Sequence, residues 1–86
     1  MQTTVIVLNE EGIHARPAGV LVKLANNFKS EIELLIDDSS ANAKSIMSIM
    51  GLGLIKNSVV IIKAEGEDAE VALKEISHLF NNKFNL

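Results

Sequence analysis

A histidine and an arginine stand two residues apart in Gly12-Ile13-His14-Ala15-Arg16-Pro17-Ala18-Gly19, immediately before what reads as the start of a helix. Helix starts ordinarily carry Ser, Thr, Asp or Asn at the cap, because a side-chain oxygen there satisfies an orphan backbone N–H. Here that oxygen is missing, so the first-turn amides stay available. Pro17 suits the first turn, where an absent N–H costs nothing and a fixed φ matches the helix. An imidazole, a guanidinium and uncapped amides then converge on one point, which describes an anion site with a nucleophile inside it. The helix N-terminus and Arg16 both disfavour a protonated His14, and a neutral ring has a nitrogen lone pair able to attack phosphorus. The chemistry implied is a phosphoryl group held on His14, its oxygens accepting from amides and from the forked guanidinium of Arg16.

The elements that position these residues follow from periodicity. Thr3 to Leu8 is β-rich and ends at the polar turn Asn9-Glu10-Glu11-Gly12, so it reads as a first strand. Ala18, Leu21, Val22, Ala25 and Phe28 have the spacing of an amphipathic helix running from Ala15 to Phe28. Glu31 to Ile36 alternates as a half-buried strand, Asp37-Asp38-Ser39-Ser40 is turn chemistry, and a short strand from about Ser40 to Ala43 follows. Ser45 to Met50 reads as a short helix capped by Ser45, because Gly51 and Gly53 limit its length. Val59 to Ala64 is the strongest strand. A last helix begins after Asp68, its expected cap, with Ala69, Ala72, Leu73, Ile76, Leu79 and Phe80 as its apolar stripe. The order β-α-β-β-α-β-α predicts an α+β fold, an antiparallel sheet with three helices packed on one face.

The short helix has more apolar residues than it can bury. Ile49 and Leu52 read as core, whereas Ile46, Met47 and Met50 read as an exposed, adaptable patch suited to docking several unlike partners. Leu21 is expected to flank that patch. His78 reads as solvated surface on the last helix.

Composition narrows the class. A chain of 86 residues fits a single domain over 1–86, too small to build a deep cleft. With no cysteine, disulfides and sulfur-ligated metals are excluded. Net charge is −3, the eight Lys and Arg do not cluster, and the three aromatics, all Phe, lie off the strands, which argues against nucleic acid. No apolar run approaches the ~18 residues of a membrane span, and no signal peptide is visible, so a cytoplasmic protein is expected.

Gly12-Ile13-His14-Ala15-Arg16-Pro17-Ala18 closely resembles the active-site motif of the HPr family, the histidine-containing phosphocarriers of the bacterial sugar phosphotransferase system. Lys44-Ser45-Ile46-Met47, followed by Met50, Leu52 and Gly53, resembles that family's second signature, in the form typical of its Gram-positive branch. The resemblance spans the whole chain and implies an open-faced β-sandwich, a four-stranded antiparallel sheet with three helices on one face. It implies that His14 is phosphorylated on Nδ1 by phosphorylated enzyme I and passes the group to IIA components of sugar permeases. Arg16 then matches the residue that stabilises the phosphoryl group, and Pro17 the one that sets the helix start. Ile46, Met47, Met50 and Leu21 match a common docking surface. It further implies regulatory phosphorylation of Ser45 by an HPr kinase/phosphorylase, with the catabolite control protein as a further partner in carbon catabolite repression. No metal or other cofactor is implied, and a monomer is expected of a carrier that must expose its site. Gly19 inside the first helix, and Asp37-Asp38 in place of an Asn-Gly turn, depart from the family pattern.

Two other classes compete. A hydrolase or nucleotide-dependent phosphotransferase would want a Gly-rich phosphate loop, paired carboxylates near the histidine and a substrate pocket. A purely regulatory module would have no use for His14.

Overall fold

The computed structural model describes residues 1–85. Seven elements follow in the order expected: β1 (Gln2–Ile6), α1 (Ala15–Ala25), β2 (Glu31–Ile36), β3 (Ser39–Asn42), α2 (Ile46–Met50), β4 (Val59–Glu65) and α3 (Ala69–Asn81). The four strands form one antiparallel sheet in the order β1-β4-β2-β3, so β4 lies between the two strands that α1 connects. Alternation assigns Val5, Ile32, Leu34, Val60, Ile62 and Ala64 to the helix-covered face, and all six are buried. The other face is open and carries residues such as Thr4, Glu33 and Lys63, Glu33 pairing directly with Lys63 across β2 and β4. The apolar stripe of α3 is buried at every position from Ala69 to Phe80 that the sequence assigned to it. Beyond α3 the chain turns through Lys83 and Phe84, both at positive φ, and Phe84 is buried edge-on against Phe80 with ring centroids 4.8 Å apart.

Several boundaries differ from the sequence reading, each for a local reason. The helix α1 ends at Ala25, three residues before Phe28, because the Asn26 side chain donates to the Val22 carbonyl and the chain then turns. The β1 ladder stops at Ile6, although the Val7 amide still donates to the Ser58 carbonyl and the Asn57 amide to the Val7 carbonyl. Asp68 occupies the expected cap position of α3 but makes no side-chain cap bond. Its carboxylate instead accepts from the Lys29 and Ser30 amides and from the Ser30 hydroxyl, tying the start of α3 to the turn that enters β2. Asp37 turns the β2–β3 hairpin at φ 52°, in the left-handed region that Asn and Asp tolerate better than most residues.

Candidate functional site

The chain reaches α1 through a loop fastened from two sides. The Gly12 amide closes a turn onto the Asn9 carbonyl, and the Ile13 amide donates to the Leu54 carbonyl at 3.0 Å. Gly12 sits at φ 70°, and a Cβ there would overlap the Leu54 carbonyl oxygen, so the close approach needs glycine. Glu10 is clamped by Lys56 at 2.6 Å, and that hydrogen bond, followed by the Lys56 charge, holds its carboxyl below the usual carboxylate value. On the other side the Asn9 side-chain amide donates to the Lys83 carbonyl at 3.0 Å, so the C-terminal turn braces the same loop.

His14 leaves this loop as the N-cap of α1, with extended backbone and no side-chain cap bond. The first intrahelical bond runs from the Ala18 amide to the His14 carbonyl, so the Ala15 and Arg16 amides have no helical acceptor and Pro17 has no N–H to leave unpaired. No acidic residue occupies the first turn to compete for them. The His14 side chain is 44% exposed and Arg16 is exposed, while Pro17 is buried and anchors the turn. Among the described residues Arg16 makes no ion pair. The helix start thus carries an exposed imidazole, two amides without a helical acceptor and an exposed guanidinium, groups whose chemistry suits an anion.

One contact was not legible as a functional feature. The Glu11 carboxylate lies 3.3 Å from His14 Nε2, three residues back across the Gly12 bend. The sequence showed Glu11 only as part of a polar turn, and without the backbone path through Gly12 nothing aims it at the ring.

The helix α2 places Ser45 at its N-cap, the hydroxyl accepting from the Ser48 amide at 3.2 Å. Ile49 is fully buried, and Ile46, Met47 and Met50 are exposed, Met47 to 81%. Lys44 donates to the Phe28 carbonyl just beyond the end of α1, and Leu54 accepts from the Ile13 amide before its start, so the segment that carries α2 runs alongside α1. Ile55, a residue the sequence reading passed over, is also exposed, and its backbone lies against Gly12 in the loop before His14. Leu21 does not belong to this surface. It is fully buried in the core, because the spacing that makes Ala18, Leu21 and Ala25 a stripe turns all three toward the sheet. His78 is exposed on α3, and among the described hydrogen bonds its ring contacts only the Asn82 side chain.

Residues 1–82 match the family model described as the PTS HPr component phosphorylation site. The chain is 46% identical over 81 residues to the phosphocarrier protein HPr of Treponema pallidum (strain Nichols), covering 94% of this chain and 92% of that protein. Among solved structures it superposes on an HPr-C-His chain from Thermoanaerobacter tengcongensis with a TM-score of 0.94 at 43% identity, covering 98% of this chain and 94% of that one. It also matches a chain of an HPr dimer from the same organism, with a TM-score of 0.80 at 43% identity and coverage of 98% and 97%.

Proposed function

The chain belongs to the HPr family of phosphotransferase-system phosphocarriers, and from that premise we propose that it carries a phosphoryl group on Nδ1 of His14 between phosphorylated enzyme I and the IIA components of sugar permeases. The observation that carries the reading is the uncapped start of α1, with His14 at the N-cap, the Ala15 and Arg16 amides without a helical acceptor and the Arg16 side chain exposed. In accepting the group, the Nδ1 lone pair of His14 forms the new N–P bond as the bond from phosphorus to the enzyme I donor breaks. In passing it on, the acceptor's lone pair forms the new bond as the Nδ1–P bond breaks. In each step the electron pair of the broken bond stays with the donor. On His14 the phosphoryl oxygens accept from first-turn amides and from Arg16, whose forked donors suit them. The protein is thus a stoichiometric intermediate acting in the cytoplasm, with no turnover of its own and no bound metal or other cofactor in either step.

Partners dock on the exposed apolar residues Ile46, Met47 and Met50 of α2 together with Ile55. Ser45 is the regulatory site, a substrate for the HPr kinase/phosphorylase. A phosphate on it adds about −1.5 to −2 charge at the start of α2 and opposes docking of an acidic partner. The same modified form would serve the catabolite control protein as its partner in carbon catabolite repression. A monomer presents both these residues and the histidine, and sedimentation of the free protein checks this against the dimer form known for its Thermoanaerobacter relative.

The test is a reconstituted relay of phosphoenolpyruvate, enzyme I, this protein and a IIA component. Phosphate on IIA that depends on this protein supports the reading. A folded protein that leaves IIA unphosphorylated contradicts it.

A further inference from the structure

The geometry points to Glu11 as a positioning residue for His14, one that holds the proton on Nε2 and so reserves the Nδ1 lone pair for phosphorus. This deepens the carrier reading and rests on it. Of the two nearby carboxylates only Glu11 is available, because Glu10 is bound to Lys56 at 2.6 Å. The Glu11 carboxylate stands 3.3 Å from Nε2. Its backbone is fixed by the Gly12–Asn9 turn and the Ile13–Leu54 bond, so the carboxylate starts from a held position even though its side chain is exposed. In a neutral imidazole one nitrogen carries the proton and the other the lone pair, and the hydrogen bond made by one decides which. A carboxylate accepts and does not donate, so one 3.3 Å from Nε2 favours the tautomer with the proton on Nε2 and the pair on Nδ1. Among the described hydrogen bonds none engages Nδ1. Arg16, two residues on and exposed, carries a guanidinium, which accepts no proton.

The same contact serves the return step. When Nδ1 takes the phosphoryl group, the ring keeps its Nε2 proton and gains a positive charge, which the Glu11 carboxylate then faces. Onward transfer breaks the N–P bond and returns its electron pair to Nδ1. With Nε2 protonated the leaving group is a neutral imidazole; without that proton it is an imidazolate, far less stable. Glu11 therefore selects the nitrogen that receives the phosphoryl group and keeps that nitrogen able to release it.

The experiment compares the wild type, Glu11→Ala and Glu11→Gln, with unchanged circular dichroism required of each. Nitrogen-15 NMR of the His14 ring, at a pH where it is neutral and with no partner present, reads the tautomer directly. The wild type is expected to favour the Nε2–H form and E11A to move toward a mixture. E11Q, whose amide oxygen still accepts, should restore the wild-type balance. Onward transfer to IIA should slow about two- to fivefold in E11A, as fits one exposed charged contact. Identical tautomer balance in all three proteins overturns the inference. A wild type that shows the tautomer contrast yet takes no phosphate from enzyme I upholds the hold on the ring and removes the carrier reading instead.

Discussion

At a helix N-cap, histidine gives up the amide acceptor that Ser or Asp would supply, and the Ala15 and Arg16 amides are left without a helical partner. His14 and Arg16 stood out through the resemblance of the whole Gly12–Ala18 stretch to the HPr motif, since a His-x-Arg before a helix is by itself more often ordinary surface. Glu11 was not legible, since an acidic residue in a turn is ordinary and only the φ 70° bend at Gly12 brings it to Nε2. Leu21 was misplaced for the opposite reason: its helical stripe was correctly read and should have decided its burial. Arg16 should be testable by Arg16→Lys, which keeps the charge and loses the fork. Phosphoryl transfer through the variant is expected to fall about 10- to 100-fold, the worth of one or two charge-assisted hydrogen bonds, measured as single-turnover phosphorylation by enzyme I.

Among the elements, the loop before α1 tolerates least and the middle of α1 most. Gly12→Ala puts a Cβ against the Leu54 carbonyl in a left-handed backbone, and the backbone alone should cost about 1–3 kcal/mol in urea unfolding. Gly19 is the reverse case. It lies within α1 with no atom within 4 Å of an added Cβ, so Gly19→Ala should stabilise by about 0.5–1 kcal/mol and raise Tm by a few degrees. Ser45→Ala removes the α2 cap and should cost about 1 kcal/mol, whereas Ser45→Asp keeps a cap and weakens docking, a contrast visible by calorimetry beside an enzyme I binding curve. Element types and order were legible because the longer segments follow one period, most clearly the α3 stripe, while α2 was marked by its Ser45 cap and by Gly51 and Gly53. Their ends were not, because side chains settle them: Asn26 bonds back to Val22, and Asp68 reaches across to Ser30 rather than capping its own helix.

Over the whole molecule, the carboxylate of Asp68 links α3 to the entry of β2, and its titration should be felt by the entire fold. The Ser30 hydroxyl, then the Lys29 amide, hold this carboxyl below its ordinary value of 3.8. A group depressed in the folded state contributes stability above its unfolded value and loses it as pH falls through the lower folded one. Urea midpoints should therefore drop below about pH 4, and Asp68→Asn should flatten that drop while lowering stability at neutral pH. The sheet order β1-β4-β2-β3 was not readable from the residues alone, since period 2 says which face a strand buries and not which neighbour it takes. That order matters because it brings the 54–58 segment leading into β4 against the loop that presents His14. The most direct measurement is intact mass after incubation with enzyme I, Mg²⁺ and phosphoenolpyruvate, run beside His14→Ala. One acid-labile phosphate on the wild type and none on the folded variant is the predicted result; phosphate on both, or on neither, would contradict the assignment of His14 as the carrier.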